Sequence, residues 1–119
     1  MPTILIVDDD DAIRGILYDL LSEKYECDTA SMAEQALQFL DCANYDLVLT
    51  DVSMPGLSGI ELLTKIQDRG LTTPVILITG KGGEADGRIL LGLGAFAYIT
   101  KPFSLDEIET NVERALAGK

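Results

Sequence analysis

Carboxylates gather at two places where an aliphatic run stops. Asp8-Asp9-Asp10-Asp11 follows Thr3-Ile4-Leu5-Ile6-Val7, and Asp51 follows Leu47-Val48-Leu49-Thr50. Two further runs stop at Thr79 and at Thr100-Lys101-Pro102. If these runs are neighbouring strands, about 4.8 Å apart, two or three carboxylates, a hydroxyl and an ammonium meet on one small rim. Two carboxylates ~4 Å apart repel by on the order of 4 kcal/mol at an effective dielectric near 20. A fold tolerates that crowding when the acids hold a hard cation. Mg2+ suits such a set, because it keeps several waters and takes one or two carboxylates. The ion would draw phosphoryl oxygens to the rim, and Lys101 would neutralise more of their charge.

Composition narrows the chemistry. The chain has 119 residues, 47% of them apolar, enough for one domain with a real core. Its net charge of −11, from 9 basic and 20 acidic residues, argues against direct contact with nucleic acid or anionic lipid. A basic protein partner or a divalent cation is compatible with it. There is no histidine, which excludes every mechanism that needs imidazole. The two cysteines, Cys27 and Cys42, lack CxxC spacing, so neither a zinc site nor a disulfide framework is expected. Apolar runs of about five residues are far below a membrane span. Met1-Pro2-Thr3 has no basic n-region, so no signal peptide is expected and the chain reads as cytoplasmic.

The elements that must position these residues alternate strictly. Strands are expected at 3–7, 47–50, 75–79 and 96–99, all continuously apolar as in sheets covered on both faces. The more polar Glu26-Cys27-Asp28-Thr29-Ala30 reads as an edge strand. Apolar stripes at helical spacing include Ile13, Ile16, Leu17, Leu20 and Leu21, then Ala33, Ala36, Leu37 and Leu40, and finally Leu105, Ile108, Val112, Ala115 and Leu116. Capping boxes are expected at Ser31–Glu34, Ser58–Glu61 and Ser104–Glu107. The segment 80–94 carries six glycines, so its helix is expected to be short or mobile. Five βα units imply a parallel sheet with right-handed crossovers. With the polar strands at the edges, its order is 2-1-3-4-5, the flavodoxin-like doubly wound α/β fold. The site then lies beyond the strand carboxyl ends, between strands 1 and 3.

The chain resembles a response-regulator receiver domain, the phosphoacceptor half of a two-component signalling pair. The matching stretches are Ile4–Asp10, Leu47–Gly56, Ile76–Gly80 and Tyr98–Phe103. They span nearly the whole chain, which is read as a single domain over 1–119. The resemblance implies that Asp51 accepts the phosphoryl group. It implies Mg2+ held by Asp9 and Asp51, by Asp8 through water, and by the Ser53 backbone carbonyl. Lys101 would pair with Asp51 and then with the phosphoryl group, Thr79 would move onto the phosphoryl oxygens, and Tyr98 would turn inward. A cis bond is implied at Lys101-Pro102. Implied partners are a histidine kinase or phosphotransfer protein as donor and an output partner or effector domain. The output partner, or a second copy in a phosphorylation-dependent homodimer, would meet the face of helix 4, strand 5 and helix 5. The implied role is a signalling switch rather than an enzyme. Ser53 and Lys81 flank the acceptor and are expected to set the phosphoryl lifetime.

Plainer readings stand beside these. Asp10 and Asp11 suit a helix start, and the metal pair could be Asp9 and Asp10 if the register slips by one. Asp51 could start a turn, Thr79 could end a strand, Lys101 could be a solvated charge, and Tyr98 could be half-buried filler. A haloacid-dehalogenase-type phosphatase matches Asp8-x-Asp10 but fails at Ala12. A flavodoxin-like electron carrier would set its phosphate against four aspartates. A calcium loop starting at Asp8 would need Gly where Ile13 stands.

Overall fold

The computed structural model describes residues 1–80 and 87–118. Its order is β1 (Thr3–Val7), α1 (Asp11–Leu21), β2 (Glu26–Ala30), α2 (Ala33–Cys42), β3 (Leu47–Asp51), α3 (Gly59–Asp68), β4 (Val75–Thr79), α4 (Gly87–Gly92), β5 (Ala97–Thr100) and α5 (Leu105–Ala117). All neighbouring strands are parallel. The sheet order is β2-β1-β3-β4-β5, as the polarity of the edge strands implied. β3 runs one residue past the apolar stretch and ends on Asp51 itself.

The sheet divides two hydrophobic layers. Leu5, Val7, Val48, Val75 and Leu77 face α2, α3 and α4, where Leu37, Leu62, Ile66 and Leu90 meet them. Ile4, Ile6, Leu47, Leu49, Ile76 and Ile78 face α1 and α5, against Leu17, Leu21, Ile108 and Val112. This two-sided cover is why β3 and β4 are buried throughout, whereas β2 exposes alternate residues.

The helix starts follow the sequence signals with one exception. Ser58 and Ser104 each accept from the amide three residues on, and Glu61 and Glu107 return the bond. At α2 the expected box is absent. Met32 occupies the cap position without a side-chain bond, and the Ser31 amide donates to Gln35 Oε1 at 3.0 Å. The helix starts one residue later than the motif assumed. The partner of Ser31 therefore moves from Glu34 to Gln35, and the Glu34 carboxylate lies against Gly56, where an added Cβ would come within 2.8 Å of it. The described part of α4 is six residues long. The glycines at 82 and 83 lie outside the described residues. No helix among the described residues is long and apolar enough to cross a membrane.

Candidate functional site

Parallel register sets the rim. Val7 pairs with Thr50 and Asp51 with Ile78, so Asp8 follows β1 at the level of Asp51, one strand away. Thr79 pairs with Thr100 at the ends of β4 and β5. Carboxylate oxygens of Asp8, Asp9 and Asp51 all lie within 4.8 Å of one another. Asp8 is fully buried and Asp51 is 4% exposed. Lys101 donates from Nζ to Asp51 Oδ2 at 3.3 Å, and Lys101-Pro102 is cis. The rim expected at the strand ends is therefore assembled, with Thr79 buried beside it.

Asp8 is held from several sides. Its amide donates to the Ala30 carbonyl at 3.1 Å, and its Oδ1 accepts from the Asp10 amide at 2.9 Å. Its Oδ2 is buried and finds no hydrogen-bond partner among the described residues. A buried carboxylate oxygen without a donor is costly unless a cation meets it. The set of three carboxylates is hard and oxygen-only, which fits Mg2+.

The electrostatics carry the same mark. Burial, reinforced by the nearby Asp51 and Asp9 charges, pushes the Asp8 carboxyl from 3.8 up to about 6. The Asp10 amide and Lys101 oppose the rise. Burial also raises Asp51, against the pull of Lys101 and the Ser53 amide. Because Asp8 binds its proton more tightly folded than unfolded, its contribution to stability is complete below about pH 4 and is lost as pH rises through about 6. The metal-free protein should therefore melt higher at pH 5 than at pH 7.5, by an Asp8 contribution on the order of 1 kcal/mol. Thermal melts in chelator at the two pH values check this, and a lower melting temperature at pH 5 would contradict it.

Asp10 is not part of the cluster. Its Oδ1 caps α1, accepting from the Ala12 and Ile13 amides at 2.9 and 3.3 Å. The carboxylates close enough to share an ion among the described residues are those of Asp8, Asp9 and Asp51, without Asp10, which speaks against the Asp9–Asp10 alternative and against the Asp8-x-Asp10 pair a phosphatase of the haloacid dehalogenase type would use. Ser53 is exposed, with its amide directed at the Asp51 carboxylate. Tyr98 is 42% exposed. Its ring lies over the first residue of α4, where a Cβ on Gly87 would fall 2.0 Å from Cζ. Lys81 lies outside the described residues.

One group escaped the sequence reading. Arg14 Nη1 donates to the Asp8 carbonyl at 2.8 Å. The only signal was its isolation, as the single basic residue among positions 1–23.

Comparison with known proteins agrees with this geometry. Residues 4–113 match the model of the response regulator receiver domain. The transcriptional regulatory protein DltR of Streptococcus agalactiae is 39% identical over 106 residues, 88% of this chain and 47% of its own length. The alkaline phosphatase synthesis transcriptional regulatory protein PhoP of Bacillus subtilis is 39% identical over 114 residues, 95% of this chain and 48% of its own. The chain thus spans about half the length of these curated relatives. Among solved structures, the Francisella response regulator 1452 receiver domain superposes with a TM-score of 0.92 at 30% identity, covering 99% of this chain and 98% of that one. The response regulator TrrA of Thermotoga maritima, solved in complex with Mg2+ and BeF, gives 0.85 at 38% identity, covering 98% and 100%. A fold, a rim of acids and a lysine reached from the sequence thus coincide with an independent match over most of the chain, which belongs to the response regulator receiver domain family.

Proposed function

We propose that this chain, as one receiver domain over 1–119, takes a phosphoryl group onto Asp51 and works as a signalling switch. The donor is the phosphohistidine of a histidine kinase or phosphotransfer protein. Asp51 attacks phosphorus as the phosphorus–nitrogen bond breaks, and the imidazole leaves with the electron pair. The observation that carries this reading is the buried cluster of Asp8, Asp9 and Asp51 with Lys101 3.3 Å from the acceptor.

Asp9 and Asp51 would hold Mg2+, with Asp8 acting through water and the Ser53 carbonyl completing the protein's ligands. When bound, the ion offsets charge on the phosphoryl oxygens. Lys101 moves its ion pair from the Asp51 carboxylate to the new phosphoryl group. Thr79 supplies a hydroxyl to the same oxygens and Tyr98 turns in behind it. That motion shifts the population of the face formed by α4, β5 and α5. Ile89, Leu91 and Tyr98 are exposed there, at 58%, 45% and 42%, and offer apolar surface to an output partner, an effector domain or a second copy. The domain itself makes no contact with nucleic acid or membrane and works in the cytoplasm. Its only catalysis is on itself, at Asp51, and Ser53 and Lys81 set how long the phosphoryl group lasts.

Incubation with acetyl phosphate tests the reading. With millimolar Mg2+ the intact protein should gain the mass of one phosphoryl group, and with chelator it should not. Equal uptake under both conditions, or none under either, would contradict the proposal.

A further inference from the structure

We infer that Arg14 is a positioning residue for the metal ligands, holding Asp8 from the helix side through its main-chain carbonyl. This rests on the proposed Mg2+ reading of the rim. Helical side chains lean toward the helix N-terminus, so Arg14, on the first turn of α1, reaches back over the β1–α1 turn. Nη1 donates to the Asp8 carbonyl at 2.8 Å, and Nη2 pairs with Asp11 Oδ1. The planar fork is thereby tied at both ends, a geometry that lysine does not reproduce. Its covering is unequal: the Arg14 side chain is 21% exposed, whereas Asp11 is 89% exposed. The guanidinium is therefore sunk toward the turn rather than drawn out by its acid partner.

The effect on Asp8 follows by elimination of its freedoms. Its amide is fixed to β2 through the Ala30 carbonyl. Its carboxylate is fixed on one oxygen by the Asp10 amide, and its carbonyl by Arg14. Only Oδ2 is left over, buried and without a hydrogen-bond partner among the described residues, on a residue whose carboxylate belongs to the cluster. Remove Arg14 and the peptide between Asp8 and Asp9 loses its outer restraint, so both acids lose their fixed aim. Groups that orient metal ligands in this way typically carry 10–100-fold in metal affinity.

A through-space charge effect has the opposite sign. A guanidinium beside an acidic cluster repels a dication, so deleting the charge alone would tighten Mg2+ binding. The sign of the change thus separates positioning from electrostatics. Arg14→Met keeps the apolar stem and removes every donor. Arg14→Lys keeps the charge but has a single donor nitrogen in place of the two-pronged fork that serves both the carbonyl and Asp11.

The test is calorimetric titration of the wild-type chain and both variants with MgCl2, alongside amide exchange at Asp10 in the metal-free proteins. Arg14→Met should raise the Mg2+ dissociation constant on the order of tenfold, and Arg14→Lys by a smaller factor. The Asp10 amide should exchange faster in both. If Arg14→Met fails to fold, weaker binding by Arg14→Lys still supports the inference. Equal or tighter Mg2+ binding by the folded variants overturns it while leaving the metal reading intact. A wild-type chain that takes up no Mg2+ overturns the metal reading, and the inference falls with it.

Discussion

Asp51→Asn should reduce phosphoryl uptake from acetyl phosphate to background while raising the melting temperature of the metal-free protein. The two effects have one origin. The amide oxygen is too weak a nucleophile to open an acyl phosphate, so uptake ends. The stability gain follows from the direction of the Asp51 titration. Burial outweighs the help of Lys101 and the Ser53 amide, so the folded environment disfavours the charged carboxylate. A neutral group of the same shape relieves that cost and also removes a repelling neighbour from Asp8 and Asp9. The gain should shrink in millimolar Mg2+, because the cation stabilises the wild type by mass action. Intact-mass spectra and paired melts with and without Mg2+ read both effects. Continued phosphorylation of the variant, or a lower metal-free melting temperature than the wild type, would contradict the account.

The second large effect lies in the backbone beneath the acceptor. Gly59→Ala should destabilise the fold by about 3 kcal/mol. Gly59 opens α3 where that helix abuts the end of β3, and its amide donates to the Val52 carbonyl at 2.9 Å. A Cβ there would fall 2.2 Å from the main-chain oxygen of Asp51 and 3.0 Å from Val52 Cα. These are backbone atoms in a buried layer and have no rotamer by which to yield. Either α3 tilts away or the strand carrying the acceptor shifts. Gly15→Ala is the natural contrast: it sits within α1 and an added Cβ meets nothing within 4 Å. There, alanine should stabilise by about 0.5–1 kcal/mol, through helix propensity alone. Urea denaturation of the two variants checks the pair. Similar stabilities for both would show that the close approach at Gly59 is not a constraint.

These two glycines mark where the sequence was legible and where it was not. Periodicity found the strands, because sheet cores read as continuous apolar runs, and polarity placed β2 and β5 at the edges. Strand ends then located Asp8, Asp51, Thr79 and Lys101, since parallel register brings like ends together. Local signals held where capping chemistry is short-range, at Asp10, Ser58 and Ser104. They failed at Ser31, where a one-residue difference in the helix start put Met32 at the cap, turned the Ser31 amide to Gln35 and sent Glu34 toward Gly56. The hold of Arg14 on the Asp8 carbonyl was invisible for another reason. It depends on the direction a helical side chain leans and on a main-chain acceptor, neither of which has a sequence signature. The close packing of Gly59 under Asp51 and of Tyr98 over Gly87 is likewise a product of tertiary approach.

The most direct measurement is chemical location of the phosphoryl group. An acyl phosphate is reduced by borohydride to an alcohol, which turns a phosphorylated aspartate into homoserine. After phosphorylation in Mg2+, reduction and peptide mapping should find homoserine at residue 51 and none in the chelator-treated sample. Homoserine at Asp8 or Asp9, or a residue 51 recovered as unmodified aspartate from phosphorylated protein, would contradict the account.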